Sequence, residues 1–344
     1  MSITKPLPKI LVIVGPTASG KTALAIKLAF RLGSTLLTTS RSGQAKKFSY
    51  KGAEIVSADS RQVYRGMDIG TAKPVRSNFQ LSISNFQKYS RKSPLYISGG
   101  IFHHLIDIKN PDEDYAVAEY KRDAVSAIRG ILRRGKLPIL VGGTGLYVRA
   151  VVDNLDIPKV AADEKLRRRL EKEVRNRGLE YVSKKLVALD PEAAYIVDPK
   201  NPRRVVRALE VTLTTGKPFT AQRTRSAPLF DARIIGMKVP PATLRRRIEK
   251  RVDEMLRDGL VEEVRGLYKK YGKVKALDAI GYREIIEYLE GKIPLDEAIR
   301  QMKLNTWRYA RRQMTWFRKS KNIRWTTSAS VAQHTNILKY VGML

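Results

Sequence analysis

The hydrophobic and polar residues divide the first half of the chain into short apolar runs and longer amphipathic stretches. The apolar runs predict buried strands at residues 10–14, 54–57 and 138–141. Between them, apolar residues at helical spacing predict helices at residues 21–32 and 116–134. Because strands that alternate with helices favour a parallel sheet covered on both faces, this half of the chain is predicted to be α/β.

Polar segments follow each of the three predicted strands directly, at residues 15–22, 59–62 and 142–144. Ligands of open α/β sheets bind at the carboxyl edge of the strands. We therefore expect the three segments to share one cleft.

The second half of the chain has a mainly helical and strongly charged pattern. Residues 163–190 predict helices outside the sheet, and the prolines within residues 191–202 mark their end. Further helices are predicted at residues 203–214, 242–258, 260–271 and 295–319. The expected organisation is a core at residues 1–152, a helical insertion at residues 153–200 and a mostly helical continuation of the core at residues 201–344.

The segment after the first strand has the spacing of a phosphate loop, Gly-x-x-x-x-Gly-Lys-Thr. Backbone N–H groups and the helix N-terminus of such a loop face an anion. Lys21 would neutralise that anion, and the Thr22 hydroxyl would bind Mg²⁺. The candidate binding residues are Gly15, Pro16, Thr17, Ala18, Ser19, Gly20, Lys21 and Thr22. On its own, this motif is typical of nucleoside triphosphatases and small-molecule kinases.

The third predicted strand lacks the aspartate that positions Mg²⁺ in many phosphate-loop enzymes, because it is followed by Gly142, Gly143 and Thr144. The candidate carboxylate is instead Asp59, after the second strand. It would serve as an acid or base facing the substrate, or alternatively as a helix cap. Thr144 would contact substrate, or alternatively act as a turn hydroxyl.

The charge composition adds an expected partner. The 344 residues include 66 Lys and Arg against 33 Asp and Glu, a formal net charge of +33. Such an excess favours a polyanion, and nucleic acid first, although a basic shift without a binding partner is the alternative. There are no cysteines, which excludes disulfides and thiolate metal sites. No apolar run approaches the ~18 residues of a membrane helix and no secretory signal is visible, so a cytoplasmic protein without a membrane partner is expected.

Basic stretches occur in three other places. Residues 34–53 and 75–101 contain no acidic residue and are expected to form exposed loops or hairpins. Residues 303–324 carry eight basic residues and no acidic one, with aromatic residues between them. This third stretch is compatible with an amphipathic helix that has a basic face, and equally with an RNA-binding surface.

Eight segments, in order along the chain, carry a resemblance to a known family. They are GPTASGKT (15–22), SADSRQVYRGMDIGTAKP (57–74), HHLIDI (103–108), LVGGTGLY (140–147), NPRRVVRALEV (201–211), RIEKRVDEML (247–256), AIGYRE (279–284) and RRQMTWFR (311–318). Together they resemble the tRNA dimethylallyltransferases, also called tRNA isopentenyltransferases. The phosphate loop is common to many families, whereas DSRQVYRGMDIGTAKP joined to GGTGLY is highly specific.

The resemblance implies an α/β fold, with a P-loop NTPase-like core, a parallel sheet flanked by helices and a mostly α-helical insertion domain. It implies transfer of a dimethylallyl group from dimethylallyl diphosphate to the exocyclic N6 amine of the adenosine immediately 3′ of the anticodon. The acceptors would be tRNAs that read codons beginning with U, and pyrophosphate would be released without use of ATP. The implied partners are dimethylallyl diphosphate, Mg²⁺ and the tRNA anticodon stem-loop, and a monomer is expected.

The resemblance also implies roles for individual residues. Asp59 would be the general base, Thr144 would contact substrate, and Lys21, Thr22 and Arg251 would stabilise the leaving diphosphate. Without the resemblance, Arg251 would be assigned to a solvated helix face, and Arg247 is a weaker candidate of the same kind. The candidate tRNA-binding residues are Asp59, Ser60, Arg61, Gln62, Thr144, Arg167, Arg203, Arg204, Arg207, Gly281, Tyr282 and Arg283.

The acceptor adenosine would have to leave its stack to reach a cleft at the sheet edge. Single-stranded RNA is read by base-edge hydrogen bonds and stacking, so Arg61 and Gln62 are expected to read bases rather than phosphates. Alternative functions are an adenylate isopentenyltransferase that acts on free AMP, ADP or ATP, a small-molecule kinase, and an RNA-binding protein with a degenerate site. The helical insertion, the positive charge and the motifs DIGTAKP and GGTGLY favour the tRNA enzyme.

Overall fold

The computed structural model describes residues 6–34, 50–77, 96–157, 163–222, 224–327, 331–340 and 342. The chain forms two compact units. The first comprises Met1–Val151 with Leu229–Leu344, and the second is Val152–Pro228. The basic stretches at residues 34–53 and 75–101 lie mostly outside the described residues.

The first unit is built on a sheet that has seven strands within the described residues, in the order β3-β4-β2-β5-β1-β6-β7. The strands are β1 (Lys9–Val14), β2 (Ala53–Ser57), β3 (Tyr96–Ser98), β4 (Ile101–His104), β5 (Leu137–Gly142), β6 (Asp231–Met237) and β7 (Ile323–Thr326). Every neighbouring pair is parallel except β3 and β4, which form an antiparallel hairpin. The predicted α/β class with a parallel sheet is confirmed.

Helices follow most of the strands. They are α1 (Lys21–Ser34), α2 (Val117–Arg133), α3 (Gly145–Val152), α4 (Glu164–Arg177), α5 (Leu179–Leu189), α6 (Ala193–Ile196), α7 (Pro202–Thr215), α8 (Pro241–Arg257), α9 (Leu260–Tyr271), α10 (Tyr282–Leu289), α11 (Leu295–Arg318) and α12 (Val331–Tyr340). No helix in the described ranges is long and apolar enough to cross a membrane.

The three strands predicted from apolar runs lie in the middle of the sheet. Strands β2 and β5 are wholly buried, as is β1 after its first residue. Helix α1 covers this part of the sheet because Leu24, Leu28 and Leu32 recur on one face and are fully buried. The arrangement brings the carboxyl ends of β1, β2 and β5 to one edge.

Residues 201–344, expected to continue the core mainly as helices, also supply two strands of the sheet. Strand β6 pairs with β1, and β7 pairs with β6. The stretch at residues 303–324 contains the end of α11 and the start of β7. Helix α11 begins at Leu295, as predicted, and its buried residues include Met302, Ala310 and Phe317.

The second unit is helical, as predicted, but longer than the predicted insertion. It begins at Val152, close to the expected residue 153, and ends at Pro228 rather than at residue 200. The boundary was wrong because helix α7 belongs to this unit, where Val205 and Leu209 share a core with residues of α4 and α5. The proline-rich segment starts a helix instead of ending the unit, since the Asn201 side chain caps α7 by accepting a hydrogen bond from the N–H of Arg204.

The two ends of the second unit are bonded to each other. Leu155 and Arg225 form an antiparallel bridge. Beside it, the Asn154 side-chain amide donates to the carbonyl of Ala227 at 2.8 Å. The N–H of Asp156 also donates to the carbonyl of Thr224, at 3.1 Å. The chain therefore enters and leaves this unit through neighbouring residues.

Candidate active site

The phosphate loop joins β1 to α1 at the carboxyl edge of the sheet. Ala18 has a φ of 60°, an uncommon conformation for a residue with a side chain. A Cβ atom added to Gly15 would lie 2.9 Å from the Cβ of Met237, so this position has no room for a side chain. The loop is thus a tight turn that packs against Met237, the last residue of β6.

Two side chains of the loop are suited to an anion. The Ser19 hydroxyl is buried and has no hydrogen-bond partner among the described residues. The Lys21 ammonium donates to the carbonyl of Pro16 at 2.9 Å. Burial lowers the pKa of Lys21 to about 8, opposed by the charge of Asp59 and reinforced by that of Arg251. A bound diphosphate would supply the acceptor that Ser19 lacks and the negative charge that favours protonated Lys21.

Arg251 reaches the phosphate loop from helix α8. One of its guanidinium nitrogens, Nη1, lies 3.5 Å from the Thr17 hydroxyl, and burial lowers the pKa of this arginine. The assignment of Arg251 to a solvated helix face is therefore wrong. It describes Arg247, which lies one turn earlier on the same helix and is exposed.

Asp59 follows β2 and lies half-buried in the wall of a cavity. Its Oδ1 atom accepts hydrogen bonds from the backbone N–H groups of Arg61 at 2.8 Å and Gln62 at 3.3 Å. No helix follows, so this carboxylate closes a turn instead of capping a helix. Both of these hydrogen bonds use the Oδ1 atom.

Thr144 lies behind Asp59, on the loop after β5. Its hydroxyl oxygen accepts a hydrogen bond from the N–H of Ser60 at 3.1 Å. It also shares a hydrogen bond with the Tyr309 hydroxyl, and burial followed by the charge of Asp59 raises the pKa of Tyr309 to about 12. Thr144 thus connects helix α11 to the turn that carries the candidate base.

The side chains of Arg61 and Gln62 hold loops of the cavity wall. The Arg61 guanidinium donates to the carbonyls of Lys275, Ala276 and Asp278 at 3.0 to 3.2 Å. The Gln62 amide donates to the carbonyls of Thr71 and Ala72, both at 3.3 Å. These bonds are intramolecular, and base reading by either side chain stays a prediction.

A cavity of about 280 Å³ is lined by several of these residues. Its polar wall includes Thr17, Asp59 and Arg251. Its apolar wall includes Ile248, Val252, Met255 and Met302. The cavity therefore combines a cation suited to phosphate with apolar side chains suited to a hydrocarbon group.

Sequence reasoning missed a carboxylate that shapes this cavity. Glu263, on α9, accepts the backbone N–H groups of Asp68, Ile69 and Gly70 at 3.0, 2.7 and 3.1 Å. The only signal was the DIG sequence at residues 68–70, whose carboxylate partner is distant along the chain. The loop that follows Asp59 is thus fixed by a helix almost 200 residues away in sequence.

Of the candidates at residues 281–283, Tyr282 is fully buried. A Cβ atom on Gly70 would lie 2.5 Å from its ring, so the tyrosine packs directly against the loop at residues 68–70. The N–H of Gly281 donates to Glu284 at 2.8 Å, and the Arg283 guanidinium lies 3.3 Å from Asp278. A tRNA contact by these three residues stays a prediction.

Four predicted tRNA-binding arginines belong to the second unit, whereas the other candidates belong to the first. Arg167 and Arg207 each place a guanidinium nitrogen 3.0 Å from the buried Glu210 carboxylate. Arg203 and Arg204 are exposed in the first turn of α7. Arg167 and Arg207 therefore pair with Glu210.

Comparison with known proteins then assigns the family. The model of the IPP transferase family matches residues 62–320, about three quarters of the chain. The chain belongs to the IPP transferase family. Its phosphate loop lies before the matched residues, but IPP transferases of similar length match almost the whole chain.

Relatives that are 40% to 43% identical to this chain are named tRNA dimethylallyltransferase. The protein of Geobacillus thermodenitrificans is 42% identical over 320 residues, which cover 92% of this chain and 90% of the relative. That of Symbiobacterium thermophilum is 43% identical over 319 residues, which cover 92% and 88%. This likeness confirms the family resemblance predicted from the eight sequence segments.

Solved structures of IPP transferases have the same fold. The tRNA isopentenylpyrophosphate transferase of Bacillus halodurans is 37% identical, with a TM-score of 0.62 and coverage of 97% of both chains. A eukaryotic dimethylallyltransferase acting on tRNA is 26% identical, with a TM-score of 0.66 and coverage of 95% of this chain and 75% of that one. The chain is thus a prenyltransferase by family, and the alternative of a small-molecule kinase is not supported.

Proposed function

We propose that the protein transfers a dimethylallyl group from dimethylallyl diphosphate to N6 of the adenosine immediately 3′ of the anticodon, in tRNAs that read codons beginning with U. The observation that carries this proposal is the cavity that joins the phosphate loop, Arg251 and Asp59 beside an apolar wall. The names of the relatives support both substrates.

The donor end of the cavity stabilises the leaving group. Cleavage of the allylic C–O bond leaves its electron pair on the diphosphate, so cations and N–H donors there lower the barrier. Lys21, Arg251 and the Ser19 hydroxyl are the groups of this chain that meet that charge. The guanidinium fork of Arg251 can pair with two phosphate oxygens at once.

We assign Mg²⁺ to the phosphate loop. The half-buried Thr22 hydroxyl stands in the first turn of α1. Within the described residues, no group of three His, Cys, Asp or Glu side chains could hold a metal ion. Since Mg²⁺ is often held by few protein ligands together with substrate phosphates, Thr22 would hold it jointly with the donor. When bound, the ion would neutralise part of the diphosphate charge.

The acceptor end contains the base. As the new bond forms between N6 and the allylic carbon, N6 must lose a proton, and Asp59 Oδ2 accepts it. The bonds to Oδ1 from Arg61 and Gln62 keep the carboxylate in place during this step. The overall reaction then gives dimethylallyl-adenosine and pyrophosphate, with the proton on Asp59 passing to water.

Binding of tRNA has to offset the cost of extruding the acceptor nucleotide, a few kcal/mol. The formal charge of +33 supplies a general attraction to RNA. We assign Arg203 and Arg204 to phosphates of the anticodon stem-loop. Arg167 and Arg207, which both pair with Glu210, are assigned to the same RNA-binding surface. We also propose that the protein acts as a monomer in the cytoplasm, where its tRNA substrate is, because the donor and acceptor groups all belong to one chain.

The experiment that tests this function incubates the protein with labelled dimethylallyl diphosphate and an anticodon stem-loop, AMP or neither. Label should enter the stem-loop, and mass spectrometry of its nucleosides should find the prenyl group on the adenosine 3′ of the anticodon. Label that enters AMP and not RNA would instead indicate an adenylate isopentenyltransferase. A stem-loop with guanosine at that position is the matched control and should stay unlabelled.

A further inference from the structure

Gln313, on helix α11, joins two loops at the carboxyl edge of the sheet. Its Oε1 atom accepts the backbone N–H of Thr17 at 2.8 Å. Its Nε2 atom donates to the carbonyl of Gly143 at 2.9 Å. The side chain is only 6% exposed, so a single buried amide connects the phosphate loop after β1 with the loop after β5.

Gly143 packs closely against the Gln313 amide. A Cβ atom on Gly143 would lie 2.1 Å from Nε2 of Gln313. The amide therefore occupies the space that a side chain at residue 143 would need. Tyr309, one turn earlier on α11, contacts the adjacent Thr144. Helix α11 thus holds the loop after β5 at two consecutive residues.

One hydrogen bond of Gln313 reaches the loop of the proposed diphosphate site, and the other reaches the loop next to the turn of Asp59. On the donor side, Thr17 carries the hydroxyl that lies 3.5 Å from Arg251. On the acceptor side, Gly143 precedes Thr144, whose hydroxyl binds the N–H of Ser60 beside Asp59. The amide thus links the loop that contacts Arg251 with the loop that contacts the turn of Asp59.

We propose that Gln313 is a positioning residue that sets the spacing between the diphosphate site and the Asp59 base. This inference rests on the proposed function for the roles of Asp59 and Arg251. Loss of the amide would leave a buried N–H and a buried carbonyl without partners, so both loops would move to reach water. Because transfer needs the reacting atoms in near-attack geometry, a displacement of about 1 Å lowers the rate by about a hundredfold.

The first test replaces Gln313 by methionine, which has a similar size but neither hydrogen-bonding group. The matched control is Gln301→Met on the same helix, where the amide bonds Glu297 at 2.7 Å within α11. We expect Gln313→Met to weaken binding of inorganic pyrophosphate about tenfold, measured by calorimetry. The single-turnover rate of prenyl transfer at saturating substrates should fall about a hundredfold. Affinity for tRNA should be unchanged, and Gln301→Met should match the wild type in all three measurements.

The second test reaches the same contact from the other side. Gly143→Ala should slow transfer, because its Cβ displaces the amide. The double variant Gly143→Ala with Gln313→Ala, which removes that clash, should be faster than Gly143→Ala alone. This non-additivity is the signature of direct coupling, and it remains measurable if Gln313→Met folds poorly.

Two results would overturn the positioning role. One is a Gln313→Met protein that melts earlier but keeps wild-type pyrophosphate affinity and wild-type single-turnover rate for each folded molecule. The other is additivity of the Gly143 and Gln313 changes. A wild-type protein that binds pyrophosphate but transfers no prenyl group to tRNA would instead contradict the proposed function, and the pyrophosphate affinities would still test Gln313.

Discussion

The hydroxyl of Tyr282 donates a hydrogen bond of 2.6 Å to Oε1 of Glu263, the carboxylate that also binds the N–H groups of residues 68–70. One charged group thus gathers four donors from α10 and from the loop after Asp59. The Tyr282 ring fills the space next to Gly70, so Tyr282 and Glu263 support the same wall of the cavity.

Replacement of Glu263 by alanine should destabilise the protein, because the loop N–H groups and the tyrosine hydroxyl lose their acceptor. We expect a loss of about 2 kcal/mol in the free energy of unfolding, measured by urea denaturation. Glu262→Ala, at the exposed neighbouring position, is the control and should be neutral. Equal stability of the two variants would show that the carboxylate does not hold the loop.

Replacement of Asp59 by asparagine should abolish transfer and spare binding. The amide oxygen can still accept the two backbone hydrogen bonds of the turn, but the side chain can no longer take the proton from N6. We expect the single-turnover rate to fall by about a thousandfold, with tRNA affinity within a few-fold of the wild type. Weak tRNA binding combined with normal turnover of the bound RNA would contradict the role of general base.

Pyrophosphate binding should depend on pH through Lys21, whose pKa burial lowers to about 8. A diphosphate favours the protonated lysine, so binding raises this pKa. The Lys21 contribution to affinity is therefore complete below pH 8 and falls about tenfold per pH unit above it, until the pKa of the complex is reached. Calorimetry at several pH values measures this slope. Lys21→Met, measured in parallel, corrects for titration of pyrophosphate and of other groups, and the same slope in both proteins would exclude Lys21.

Binding of tRNA should weaken steeply as salt rises, because RNA phosphates neutralised by the protein release counterions. Arg204→Gln should lower the affinity for different tRNA sequences about equally and reduce the salt slope by about one unit. Fluorescence titrations at several salt concentrations provide both quantities. A flat salt response of the wild type would mean that the charge excess does not bind RNA.

The parts of the fold that were predicted correctly are those with a continuous local signal. Strands β1 and β5 have long apolar runs, β2 has buried Ile55 and Val56 at its centre, and the helix after the phosphate loop has a clear apolar face. Strand β6 was missed because its first three residues are only partly buried, which shortens the apolar run to four residues. The end of the insertion was missed because proline and asparagine mark a helix start as well as a helix end.

The site also contains residues that the sequence predicted and residues that it did not. Lys21 and Asp59 follow strands, so parallel topology alone predicted that they would approach one another, and their charges do interact. Glu263 and Gln313 act on those strand ends from helices α9 and α11. The bonds that they form to these loops join residues 170 to 296 positions apart, so they depend on tertiary packing, for which no local pattern exists.

The bridge between Leu155 and Arg225 has a consequence for how such an enzyme can change over time. The first and last residues of the unit Val152–Pro228 lie side by side, so the whole unit is inserted at one place in the chain. The unit can be lengthened, shortened or replaced with changes only at this junction, while the sheet and the prenyl-transfer site keep their sequence. Changes to this helical unit therefore need not alter the loops at the sheet edge that carry Lys21 and Asp59.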